Sequence, residues 1–139
     1  MGSISQLSDV LFIRLQTSIL CKSLVHEGGK TSLVDWVYGI VLGDSTPFYI
    51  VHEWCCSLES SICCLEQIQI VDPDGEIEAT LRMSPFLLGE RFWDLIRNYW
   101  EVKDFYPTKI GTYEIRTTLI EVESERVLYR QIDPLHVLM

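Results

Sequence analysis

Positive charge is scarce in this chain of 139 residues: 11 Lys and Arg stand against 20 Asp and Glu, a net charge of −9 with histidines neutral. That deficit argues against nucleic acid, whose phosphates would be repelled, and against an anionic membrane surface. Long apolar runs are missing too. Stretches such as Val10-Leu11-Phe12-Ile13 meet a charge within a few residues, well short of the about 20 needed to cross a bilayer. Met1 to Gln6 carry neither the basic nor the apolar region of a secretory signal, and Gln6 breaks the myristoylation pattern. The expected location is cytoplasmic. Low-complexity segments and solenoid-length repeats are also lacking.

Catalytic signatures are equally thin. There is no Gly-x-Ser-x-Gly elbow, no His-Glu-x-x-His and no Cys-x-x-Cys. Gly28-Gly29-Lys30 lacks the spacing and following helix of a phosphate loop. The histidines are His26, His52 and His136, and the nearest Cys–His candidate, His52 with Cys55, has a spacing that puts the two on opposite faces of a strand. Nucleophile, base and orienter are not found together, so no catalytic residues, cofactor or metal are expected and the chain is read as non-enzymatic.

What is present is alternation. Hydrophobic residues make up 47% of the chain, enough for a single folded domain at this length. Ile13, Leu15, Thr17, Ile19 and Cys21 alternate with Arg14, Gln16, Ser18 and Lys22, apart from apolar Leu20, and Glu27-Gly28-Gly29-Lys30 then turns the chain. Val34, Trp36, Tyr38, Ile40 and Leu42 share the next strand face and Val37 and Val41 the other, so this strand reads as buried on both sides. Strands follow over 48–58 and 62–71, and Asp72-Pro73-Asp74-Gly75 is the sharpest turn signal. Ile77, Ala79, Leu81 and Met83 alternate next; Gly111 opens another strand, and Arg126 to Ile132 returns it. The expected fold is all-β: a single antiparallel β-sandwich of seven or eight strands over 1–139, with 1–8 and 133–139 as flexible tails. The segment 90–101 fits either one short helix or a strand, because Phe92, Trp93, Ile96, Tyr99 and Trp100 have helical spacing while their aromatic content favours a strand.

Four of the five cysteines form doublets, Cys55-Cys56 and Cys63-Cys64. A hairpin turning near Glu59-Ser60 would set Cys55 against Cys64 and Cys56 against Cys63. An odd cysteine count without regular spacing favours reduced, buried thiols over a disulfide framework.

Leu20-Cys21 with Glu27-Gly28-Gly29-Lys30, then Asp72-Pro73-Asp74-Gly75, then Pro107 to Arg116 with its Gly111-Thr112-Tyr113 core, resemble in order and spacing a family of small bacterial β-sandwich proteins of unknown function. The resemblance spans roughly Leu20 to Val137. It implies a β-sandwich and a bacterial or phage origin, makes 92–101 a strand, and supplies no catalytic residues. This chain departs from the family pattern in its last turn, Val122-Glu123-Ser124-Glu125, and in its cysteine doublets.

Residues 59–104 carry ten acidic and four basic side chains, most of the excess charge. Within or beside that segment, Arg91, Trp93, Arg97, Tyr99, Trp100, Phe105 and Tyr106 bring together the residue types that form binding hot spots. The expected function is a protein-interaction or binding module using this aromatic and arginine surface, with homodimerisation as one use of it. A small-molecule or nucleotide-like signal, stacked on the rings and met by the arginines, is the alternative ligand. A calcium-dependent sandwich is a further one. It would be centred on Asp72 and Asp74 with Asp44 or Asp104 as second loop, although an EF-hand fails because Ile77 and Met83 occupy its glycine and glutamate positions.

Overall fold

The computed structural model describes residues 10–37, 39–43, 46–58, 61–89, 93–103 and 105–139. Their ten strands are β1 Val10–Glu27, β2 Lys30–Val37, β3 Gly39–Val41, β4 Phe48–Leu58, β5 Ile62–Val71, β6 Ile77–Arg82, β7 Phe86–Leu88, β8 Trp93–Val102, β9 Gly111–Glu121 and β10 Val127–Leu138. They form two sheets, ordered β2-β1-β4-β8 and β3-β10-β9-β5-β6, with β7 also pairing β5. The inner faces of the two sheets enclose the core, as in a β-sandwich.

Several expectations change. The strand count exceeds seven or eight, because β7 is an added short strand and the second expected strand divides: β2 stays in the first sheet and β3 crosses to the second, where it pairs β10 in parallel. Gly39 permits that close pairing, since a Cβ there would lie 2.4 Å from the His136 carbonyl oxygen. Residues 93–102 form a strand, not a helix, registered along the whole of β4. Residues 133–138 are no tail: β10 runs through them and buries Leu135 and Val137. Residues 1–8 lie outside the described residues.

The hairpin that would set Cys55 against Cys64 and Cys56 against Cys63 is also overturned. β4 pairs β1 and β8, whereas β5 pairs β6, β7 and β9, so the chain changes sheet between the two cysteine doublets. Cys56 and Cys64 instead point into the same core cluster from opposite sheets, Cys63 faces solvent and Cys55 is half-buried. Polar breaks between alternating strands look alike in sequence whether they close a hairpin or turn a sandwich corner.

A bulge in β1 between Leu15 and Thr17 reverses the side-chain phase. Leu15 packs inward, but beyond the bulge Ser18 and Leu20 take the inner face, and Thr17 and Ile19 move to the outer one. A strand expected to alternate uniformly therefore contributes to both faces.

Candidate functional site

The core has two apolar ends and a polar middle. One end gathers Phe48, Ile50, Ile68, Ile70, Trp100, Tyr113 and their neighbours; the other gathers Leu15, Trp54, Cys56, Cys64, Leu88 and Leu119. Between them five strands contribute a polar residue in the apolar phase: Ser18 on β1, His52 on β4, Glu66 on β5, Asn98 on β8 and Thr117 on β9. Four of these five, all but the half-buried Ser18, are buried.

Glu66 organises this belt. Its Oε2 accepts hydrogen bonds from Trp54 Nε1 at 2.9 Å and Asn98 Nδ2 at 2.8 Å. Its Oε1 accepts from Trp100 Nε1 at 3.1 Å and pairs with His52 Nδ1. Burial by itself would raise the carboxyl's pKa, but the bonds from His52, Asn98 and Trp54 outweigh it and hold Glu66 below the usual carboxylate range. With Nδ1 turned to Glu66, His52 presents Nε2 to Ser18 Oγ at 3.0 Å. Thr117 Oγ1 is the one buried side-chain polar atom without a partner among the described residues.

Ser18 opens from the belt into a cleft of about 350 Å³ at the edge of the sandwich. Ile19, Leu20, Trp36, Val37, Ile115 and Pro134 make its walls mainly apolar, and Asp133 and His136 add polar groups from β10.

Trp36 joins this cleft to the outer face of the first sheet. Its side chain is 61% exposed, and together with Thr17, Ile19, Ser32, Leu33, Val51, Glu53 and Arg97 it borders a second cleft of about 460 Å³. Beyond Cys21, where its pairing with β4 ends, β1 continues with β2 alone as a hairpin. This arm folds over the outer face: His26 packs edge-on against Tyr99 with ring centres 6.4 Å apart, and Gly29, Lys30 and Thr31 line a recess with Leu95, Arg97 and Tyr99. On the floor, Arg97 donates from Nη2 to Glu53 Oε2 at 2.9 Å, and this bond with a further one to Tyr99 raises the guanidinium's pKa.

The structure thus divides the residues picked from sequence. Arg97 and Tyr99 lie on the outer face of β8, and Tyr106 is exposed on the following loop. Trp100 and Phe105 are core residues, the first bound to Glu66 and the second packed edge-on to Phe48 and Tyr113, so neither belongs to a surface. Alternation along β8 separates Trp100 from Tyr99. Arg91 and the side chain of Trp93 lie outside what is described. Sequence reasoning missed Trp36, Glu66 and the Ser18–His52 pair. The phase of β5 did carry a signal, because Glu66 falls in step with Cys64, Ile68 and Ile70.

The acidic turn is occupied by a lysine. Asp72 Oδ1 accepts the backbone N–H groups of Asp74 and Glu76, while Lys109 Nζ donates to Asp72 Oδ2 at 2.8 Å and Asp74 Oδ2 at 2.7 Å. The Lys109 bond and the N–H of Glu76 together keep Asp72 ionised to lower pH than usual. The ammonium bridges the two carboxylates on which the calcium reading is centred, and Asp44 and Asp104 lie outside the described residues.

No family model matches the chain, and no curated protein does. Solved structures do share its fold. The C-terminal domain of wzt aligns with 91% of this chain and 74% of its own, at TM-score 0.62 and 12% identity. A Bacteroides uniformis β-glucuronidase aligns at TM-score 0.58 and 15% identity over 93% of this chain but only 13% of its own. A β-glucosidase from Listeria innocua in complex with glucose aligns at 0.50 and 11% over 92% of this chain and 16% of its own. These likenesses establish the β-sandwich.

Proposed function

We propose that this chain is a binding module that takes a saccharide on the outer face of its first sheet, in the groove walled by the β1–β2 arm. The observation that carries this reading is the exposed indole of Trp36, set between two clefts and followed along the groove by Arg97, Glu53 and Ser32. An aromatic face, negative at its centre, attracts the positively polarised C–H face of a sugar ring. The donors and acceptors beside it suit hydroxyl groups, which need both. A net charge of −9 disfavours a polyanionic ligand. The sandwich's recurrence inside a β-glucuronidase and a β-glucosidase is compatible with a carbohydrate partner.

A protein partner is the second reading. It rests on Leu95, 58% exposed at the same surface, an apolar contact that a sugar does not require. Screening the protein against immobilised saccharides separates the two. Retention on a defined set of glycans, lost in Trp36→Ala, supports the module as proposed. A flat screen together with a partner recovered through Leu95 supports the second reading.

A further inference from the structure

We propose that Ser18 is an activated nucleophile, with His52 as its general base and Glu66 as the residue that positions the base, and that the edge cleft takes an ester with an apolar acyl group. The inference rests on the connected geometry of three strands and is independent of what the outer groove binds. Ser18 Oγ lies 3.0 Å from His52 Nε2, within the range for direct proton transfer. His52 Nδ1 is fixed by Glu66, which fixes the ring's orientation and leaves Nε2 for the serine. Glu66 is itself held by Trp54, Asn98 and Trp100, so the carboxylate cannot swing away. Nucleophile, base and orienter in this order are the arrangement that makes a serine hydroxyl reactive, whatever fold carries it.

The placement separates this serine from an ordinary buried polar contact. His52 and Glu66 are buried, whereas Ser18, in contact with His52 Nε2, is half-buried and lines the apolar cleft that Trp36 and Pro134 help to wall. A hydroxyl needed only to satisfy His52 would have no reason to stand at that opening. The β1 bulge puts it there, by moving Ser18 to the inner face two residues after the phase reverses.

The reaction balances without an added reagent other than water. Ser18 Oγ attacks the ester carbonyl carbon as its proton passes to His52 Nε2, forming the Oγ–C bond. The tetrahedral intermediate collapses, the C–O bond to the alcohol breaks, and the leaving alkoxide takes the proton from Nε2. Water then adds to the acyl carbon, giving its proton to Nε2, and the Oγ–C bond breaks as the acid leaves and the proton returns to Ser18.

The test is labelling with a fluorophosphonate, which forms an Oγ–P bond and expels fluoride, read by mass spectrometry of the peptide containing Ser18, alongside hydrolysis of p-nitrophenyl butyrate. The adduct is expected on Ser18, absent in Ser18→Ala, and formed about 100-fold more slowly or worse in His52→Gln. Should His52→Gln not fold, the wild-type labelling rate is followed against pH, and a rise with deprotonation of a single group is expected. No adduct on Ser18 overturns the proposal. Labelling of Ser18 that is unchanged in a folded His52→Gln, or flat with pH, overturns the role of His52 as base.

Discussion

Glu66 on β5 and Trp54 on β4 belong to opposite sheets, and the indole N–H of Trp54 donates to the Glu66 carboxylate at 2.9 Å across the core. Both side chains are fully buried, and Asn98, Trp100 and His52 bind the same carboxylate. Taking a lone carboxylate out of water is strongly unfavourable, so this one is tolerable only because its donors are all in place. It also fixes register, because a one-residue slip of β5 would turn Glu66 to solvent and strand every donor.

Removing the carboxylate should therefore cost far more than a surface mutation. Glu66→Ala is expected to lower unfolding free energy by about 3–5 kcal/mol, since it leaves several buried donors unpaired and opens a cavity. Urea unfolding measures it, as a fall in midpoint with unchanged slope.

The same carboxylate sets an acid limit. Its folded pKa lies below the ordinary 4.5, so the unfolded chain binds more protons near that pH and stability rises with pH there. The contribution is complete above 4.5 and is lost as pH falls through the lower folded value. Asp72, also held below its ordinary 3.8, adds loss further down in the same direction. Unfolding midpoints should drop between about pH 5 and about pH 3 in the wild type and more shallowly in Glu66→Gln.

Thiol reactivity should follow position rather than doublet. Cys63 is exposed, whereas burial pushes the Cys64 thiol up to about 12 and raises that of Cys21 as well. Since the thiolate is the reacting form, iodoacetamide should alkylate Cys63 first and half-buried Cys55 more slowly. Cys21, Cys56 and Cys64 should react only in denaturant. Peptide mapping checks the order, and early modification of Cys64 would show that the core at that end is open.

Gly39→Ala should loosen the link between the sheets. Its Cβ would meet a backbone oxygen of β10 at 2.4 Å, so the short parallel pairing must open. A loss of about 1–3 kcal/mol is expected. Hydrogen exchange should quicken at Leu42, whose N–H bonds the Leu138 carbonyl at 2.7 Å.

Strands with steady alternation were readable from sequence to the residue. The expected limits 48–58 and 62–71 coincide with β4 and β5, and the Asp72 turn lies where its proline and glycine placed it. What alternation could not convey is which sheet a strand joins, so the β4–β5 corner passed for a hairpin and β3 for a continuation of β2. Single-residue events escaped for a related reason: the bulge after Leu15 exchanges the faces of everything beyond it, and Ser18 reads as a surface polar residue until that shift is known. The aromatic run was noticed as composition, but period two divides it, giving Tyr99 to the outer groove and Trp100 to the core. Trp36 went unnoticed because its strand looked buried on both faces.

The measurement that bears most directly on the proposed function is binding to a broad array of immobilised saccharides, with wild type and Trp36→Ala compared at equal concentration after both are shown to unfold at similar midpoints. The account predicts retention on a restricted set of glycans and loss of most of that signal in Trp36→Ala. Wild-type retention no higher than background across the array, or equal retention of the two proteins, would contradict it.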